Sequence, residues 1–271
     1  MKIQYQDAQL IIFESAIYRT TTTLIIGQRY ILLIDPNWLP IEIEYIQKVV
    51  EEKGRGKEQY LLFTHSDYDH LLGYNAFPHF TTIASKAFVE KKDKEQVLRD
   101  IRKFDEEYYI ERTYPIAYPI IDKVIDDPVA KLSLQGDQYE LYQAKGHTND
   151  GLLIWNQSKG ILVVGDYLSN IEFPFIYDSL ANYIVTLQTL QQLIAAEAIQ
   201  LLVTGHGDHT QDQLEMQRRV QRDLAYVDEL EKSILNNHSF DLPKWLSKYP
   251  FPKGLEKCHL ENVELVKKEL A

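Results

Sequence analysis

The run Thr64-His65-Ser66-Asp67-Tyr68-Asp69-His70 places four potential metal ligands, two imidazoles and two carboxylates, within six positions. It follows directly on Tyr60 to Phe63, a short apolar run that reads as a buried strand. A turn at a strand end can point alternate side chains inward from two sides, so one loop can serve two ions. The same composition also suits a solvated polar loop, and this segment alone does not choose between the two. Three further candidates do. Gly146-His147-Thr148, Gly165-Asp166 and Gly205-His206-Gly207 each follow a predicted strand. Each alone is more often a structural or surface residue. Together, at strand ends with glycine beside the ligand, they match the way a rigid scaffold presents side chains to a shared site.

The elements that must hold these residues follow from periodicity. Strands are expected at Gln9 to Phe13, Thr20 to Ile26 and Tyr30 to Ile34, which are rich in β-branched and aromatic residues. Gly27 to Arg29 reads as a hairpin turn, and Asp35-Pro36-Asn37 carries turn chemistry. Glu42 to Lys53 has helical spacing, with Ile43, Ile46, Val49 and Val50 on one face, and a second helix is expected near His70. Thr81 to Ala84 is a strand, residues 85–112 an amphipathic helix with room for one break, and Tyr114 to Pro128 a loop. The second half repeats the strand signature at Lys131 to Leu134, Tyr139 to Gln143, Leu152 to Trp155, Ile161 to Val164 and Leu201 to Thr204. Helices are expected at Ser179 to Ala196, from Thr210 to about Asn236, and from about Leu255. Strands with helices, twice over, predict an α+β sandwich of two mixed sheets with helices outside. One domain, 1–271, is expected, with halves at roughly 1–130 and 131–271.

Composition narrows the function classes. A formal net charge of −11 argues against a nucleic-acid partner, because phosphate binding needs a basic surface. One cysteine, Cys258, leaves no internal disulfide and fits a reducing compartment. The N-terminal residues are too polar for a signal peptide, and no apolar run approaches the roughly 20 residues of a membrane span. A cytoplasmic protein acting on a small molecule, with no membrane partner, is expected; oligomeric state is not readable from the sequence.

The order His-x-Asp-x-Asp-His, then Gly-His-Thr, then Gly-Asp, then Gly-His resembles the metallo-β-lactamase superfamily, over about Leu10 to Leu230. Leu33-Ile34-Asp35 is similar to that family's early aspartate turn. The resemblance implies an αββα sandwich and two divalent ions. It assigns His65, Asp67 and His147 to one ion, Asp69, His70 and His206 to the other, and Asp166 to a bridge between them. Asp69 would also orient the attacking hydroxide. Asp35 is expected behind the ligands, where it organises the loops or simply forms the turn. His209 and His259 are weaker candidates for supporting roles, since a loop or core position explains either.

Two departures stand out. Asp67 occupies a position where the family usually has His. Three carboxylates and one hydroxide would cancel the charge of two divalent ions, weakening the pull on a bound water's proton. The added oxygen donor suits manganese or iron better than an imidazole-rich set does. Family members with a carboxylate here include some that hold two irons; zinc remains the first expectation. The second departure is Asn149-Asp150, where the family often has Pro-Gly, and only a local loop difference is expected from it.

A bridged pair of ions activates a water, polarises the bond under attack and stabilises the product anion. The sequence has no G-x-S-x-G elbow, P-loop or dinucleotide fingerprint to support another chemistry. Tyr167, Phe173, Phe175 and Tyr177, which follow the bridging aspartate, are apolar enough to line a pocket or to fill a core. The expected activity is hydrolysis of a small ester, lactone or thioester. The alternatives are a di-iron oxidoreductase on the same fold, a phosphodiesterase or nuclease, and a non-catalytic metal-binding protein.

Overall fold

The computed structural model describes residues 1–196 and 199–271. Among these residues the strands form two sheets. The first has the order β1 (Lys2–Gln6), β2 (Leu10–Glu14), β3 (Thr21–Ile26), β4 (Tyr30–Ile34), β5 (Glu58–Leu62), β6 (Thr81–Ser85), β7 (Lys123–Ile125). The second comprises β8 (Val129–Leu134), β9 (Asp137–Ala144), β10 (Gly151–Asn156), β11 (Ile161–Val163) and β12 (Leu201–Val203), in the order β12-β11-β10-β9-β8. Both sheets are mixed: β1 to β4 pair antiparallel and β4 to β7 parallel, while β8–β9 is antiparallel and β11–β12 parallel.

The helices are α1 (Pro40–Gly54), α2 (Tyr68–Leu71), α3 (Lys86–Glu90), α4 (Lys94–Glu107), α5 (Leu180–Ala195), α6 (Gln213–Leu235), α7 (Leu242–Leu246) and α8 (Pro252–Glu269). The expected α+β fold of two mixed sheets with helices is the observed one. Among the described residues no helix is long and apolar enough to cross a membrane.

The chain divides into two compact units, residues 1–143 with 150–158, and residues 144–149 with 159–271. The first runs past residue 130, where the sequence placed a boundary between halves, because β8, most of β9 and all of β10 belong to it.

In the first unit β2, β3 and β4 are buried along their whole length, which is why their sequences are nearly unbroken apolar or threonine runs. Strand β8 instead alternates between exposed and half-buried positions. The core gathers Phe13, Leu33, Trp38, Ile43, Ile46, Leu61, Phe63, Phe88 and Phe104 from the first sheet, α1, α3 and α4. Within this unit the two sheets meet face to face: the Tyr30 hydroxyl on β4 lies 2.6 Å from that of Tyr139 on β9 and donates to Asp137 at 2.7 Å. The helix expected over 85–112 is broken between α3 and α4, and Ser85 caps α3 by accepting from Phe88 N. Strand β7 falls in the segment read as a loop and β1 in one to which no element was assigned; both are edge strands, and β7 has three residues, too few for a period to register.

In the second unit α5 and α6 pack on each other, and Leu180, Tyr183, Leu187 and Leu190 of α5 and Met216, Val220 and Val227 of α6 are buried. Ser179 and Asp212 cap their N-termini through side-chain oxygens. An aromatic cluster of Phe173, Tyr226, Phe240, Trp245 and His259 joins α6, α7 and α8.

Candidate metal centre

In the first unit β5 ends at Leu62, and the chain then presents His65, Asp67, Asp69 and His70 in succession. Asp67 keeps extended angles (φ −65°, ψ 144°) just ahead of α2, whose single turn carries Asp69 and His70. Alternate residues of an extended segment share a side. His65 Nε2 accordingly lies 3.8 Å from Asp67 Oδ2, while Ser66 turns the other way. His70 Nε2 lies 3.6 Å from Asp69 Oδ2, and the two imidazole centroids are 4.1 Å apart.

Asp35 organises this set. It is buried at the end of β4 with φ +50°, a left-handed conformation that Asp tolerates better than most residues. Its Oδ1 accepts from Thr64 N at 2.8 Å and its Oδ2 from the Thr64 hydroxyl. His70 Nδ1 stands 3.0 Å from the same Oδ2 and donates to it. The Thr64 hydroxyl has only one proton, which it gives to Asp35, so at 2.9 Å it accepts from His65 Nδ1. Both imidazoles therefore carry their proton on Nδ1 and turn a lone pair outward on Nε2.

In the second unit His147 is held at three atoms. Its N–H donates to the Tyr167 hydroxyl at 3.0 Å, its carbonyl accepts from Tyr177 N at 2.9 Å, and its Nδ1 donates to the Phe175 carbonyl at 2.8 Å. Gly146 before it has φ +120°, and a Cβ there would sit 2.3 Å from the Tyr183 backbone, so only glycine fits. Asp166 follows β11, and His206 follows β12 after Gly205, whose Cβ would lie 2.1 Å from Asp166 Oδ1. One oxygen, Asp166 Oδ2, is 3.4 Å from His147 Nε2 and 3.3 Å from His206 Nε2.

These contacts test whether a metal ion suits the residues. An imidazole protonated on Nδ1 offers Nε2 as an acceptor, and a carboxylate only accepts. Two acceptors facing each other repel unless a cation stands between them. The separations exceed the roughly 2.7–2.9 Å of a charge-assisted hydrogen bond. Two ligand atoms about 2.0–2.2 Å from one tetrahedral ion lie roughly 3.3–3.6 Å apart. The His147–Asp166 and His206–Asp166 spacings of 3.4 and 3.3 Å fall in that range, and 3.6 and 3.8 Å in the first unit lie at or just past its edge. The nitrogen and oxygen donors of both units are suited to binding metal.

The family model described as "Metallo-beta-lactamase superfamily" matches residues 18–227. The chain belongs to the metallo-β-lactamase superfamily. Among solved structures of this fold, the stereoselective inverting sec-alkylsulfatase Pisa1 from Pseudomonas sp. is similar at 13% identity and a TM-score of 0.69, over 91% of this chain and 45% of that one. The chain thus spans about half the length of that sulfatase. A metallo-beta-lactamase from Pontibacter korlensis matches at 16% identity and a TM-score of 0.58, over 84% of this chain and 98% of that one. No curated protein matches the sequence. The superfamily, with this His/Asp donor set, supports metal-dependent hydrolysis as the general chemistry.

The remaining sequence candidates fall in distinct places. Tyr167 is buried, its hydroxyl spanning His147 N and the Lys145 carbonyl, so it braces His147 rather than lining a pocket. Phe173 is also buried, stacked on Tyr226 at 4.6 Å. Phe175 is half-buried, and Tyr177 is 45% exposed with its ring 5.3 Å from that of His147. His209 is half-buried between β12 and α6. His259 sits within the aromatic cluster, its Nδ1 hydrogen-bonded to the Tyr226 hydroxyl at 2.9 Å, and burial lowers its pKa.

Sequence reading missed several supports. Asn262 on α8 accepts from Ile176 N at 2.8 Å and donates to the Pro174 carbonyl at 2.7 Å, fixing the loop whose Phe175 carbonyl holds His147. Arg219 and Arg222 on α6 donate to the carbonyls of Asp208 and Ser169, in the loops after His206 and Asp166. No local motif marks any of these three. Thr64 was legible only as the residue ahead of His65.

Proposed function

We propose that the chain is a dinuclear metal-dependent hydrolase of a small ester, lactone or thioester. In this reading His65, Asp67 and His147 hold one ion, Asp69, His70 and His206 the other, and Asp166 serves both. The observation that carries it is the convergence of His147 and His206 on one oxygen of Asp166, at a spacing that fits a cation. Two such ions, when bound, supply Lewis acidity and lower the pKa of a water into the neutral range.

The chain's own residues do the rest. Asp35 and the Phe175 carbonyl fix the Nδ1 tautomers, so that His65, His70 and His147 present Nε2 without rearrangement. Asp69 would give an oxygen to an ion and accept a hydrogen bond from the attacking water, orienting it. Tyr177 and Phe175, beside His147, support a substrate with an apolar part. Zinc is the ion proposed.

Asp67 favours a second reading, a di-iron oxidoreductase, because three of the seven proposed ligands are carboxylates. Elemental analysis of protein purified without added metal or chelator separates the two, run on the parent, His147→Ala and Asp166→Ala. About two zinc or manganese ions per chain, reduced in both variants, supports the hydrolase. Substrate assays then follow on esters, lactones, thioesters and a secondary alkyl sulfate. Iron with oxygen-consuming activity supports the second reading. A parent that holds no metal and takes up none sinks both.

A further inference from the structure

Asp150 stands where the family pattern has glycine, and it is not a loose loop residue. Its side chain is buried, with the residue 1% exposed. Oδ1 accepts from Ser66 N at 3.3 Å, and Oδ2 accepts a short hydrogen bond from the Ser66 hydroxyl. Lys91 Nζ stands 3.8 Å from Oδ2. The Asp150 carbonyl accepts from the Ser85 hydroxyl at 2.7 Å, and that same Ser85 oxygen caps α3. Two residues on, Leu152 N donates to the Thr64 carbonyl at 2.7 Å. Residues 150 and 152 are thus stitched to 64 and 66, all within the first unit.

A carboxylate removed from water is expensive unless cations and donors compensate it. Here two donors come from one residue, and that residue is Ser66, between His65 and Asp67. Gripping the N–H of Ser66 holds the peptide that joins it to His65, and gripping the hydroxyl holds the Ser66 side chain away from the ligand side. That narrows the directions open to the side chains of residues 65 and 67. Asp35 acts on the same segment from Thr64, so the loop is held on both sides of His65 and directly ahead of Asp67. Metal ligands need placement to within about 0.5 Å, and a free loop does not give it.

We propose that Asp150 is a positioning residue for metal binding, which fixes Ser66 and thereby aims His65 and Asp67. This rests on the proposed metal centre. A glycine, which the family often has at this position, has no side chain to reach Ser66.

The test measures zinc affinity by chelator competition for the parent, Asp150→Asn, Ser66→Ala and Lys91→Met. Urea unfolding of each metal-free protein and the visible spectrum of each cobalt(II)-loaded protein accompany it. Asp150→Asn is expected to weaken zinc binding about 10–100-fold, the range for lost support behind a ligand. Ser66→Ala weakens it less, because the backbone N–H bond survives. Both alter the cobalt spectrum, which reports ligand geometry and which a purely structural role leaves alone. Lys91→Met, whose partner keeps both Ser66 bonds, stays near the parent. A folded Asp150→Asn with parental affinity and spectrum overturns the proposal. If Asp150→Asn does not fold, Ser66→Ala decides: parental affinity and spectrum there overturn it equally. A parent that binds no zinc overturns the underlying metal centre, and that failure shows in the parent before any variant is compared.

Discussion

At the scale of single residues, the chemistry is governed by which atom of each side chain is already engaged. His65, His70 and His147 have Nδ1 committed to Thr64, Asp35 and the Phe175 carbonyl, and that commitment leaves Nε2 as the atom each would offer to a metal ion. Asp67 would set the electrostatics of the first proposed ligand set. Asp67→His is expected to keep metal binding and to raise the preference for zinc over manganese, because it exchanges an oxygen donor for imidazole. Competition between the two ions, read by elemental analysis, checks this; an unchanged ratio means Asp67 is not a ligand. Gly205 is a steric requirement. A Cβ there would lie 2.1 Å from Asp166 Oδ1, so Gly205→Ala must displace the carboxylate. The expected result is destabilisation by about 1–3 kcal/mol, typical of overpacking, with loss of metal. Thermal melts and metal content measure the two effects, and a fully metallated variant contradicts the second.

At the scale of elements, strands end near the candidate ligands and helices hold the loops that follow. Helix α8 is a clear case, because Asn262 bonds Ile176 N, the Pro174 carbonyl and the Tyr226 hydroxyl. Asn262→Ala leaves those groups to find water or stay unmet. It should cost about 1–3 kcal/mol in urea unfolding and weaken zinc binding through the freed Phe175 carbonyl. A stability loss with parental zinc affinity would show that α8 supports the fold and not His147. Elements with a strong period were legible in advance: α1, α5, α6 and the central strands all fall within a few residues of their expected bounds. Strands β1 and β7 were not, since an edge strand needs no apolar face and three residues show no period. Helix α7 was also missed, a five-residue helix whose Trp245 packs on Tyr226.

At the scale of the whole molecule, stability responds to pH through groups the fold has dehydrated. His259 is one, surrounded by the Tyr226 hydroxyl and the rings of Phe173 and Phe240, with its pKa lowered by burial. The unfolded chain then binds a proton on this residue more readily than the folded one. Its contribution is intact above about pH 6.5 and is lost as pH falls through and below that value toward the folded-state pKa. Urea unfolding of metal-free protein should show stability falling below about pH 6.5, and His259→Gln should flatten part of that fall. An identical profile in the variant would assign the loss to other groups. The sequence by itself determined the superfamily, the sheet-and-helix plan and the order of ligand-capable residues, because strand periods, turn glycines and metal-donor types are local and leave a local imprint. Only the tertiary structure decided which atoms are committed and what stands behind them. Thr64 bonding Asp35, Tyr167 bracing His147, and Asp150 gripping Ser66 from 84 positions away are contacts between distant segments. A carboxylate three residues after His147 reads as a solvated loop residue until the packing that buries it is known.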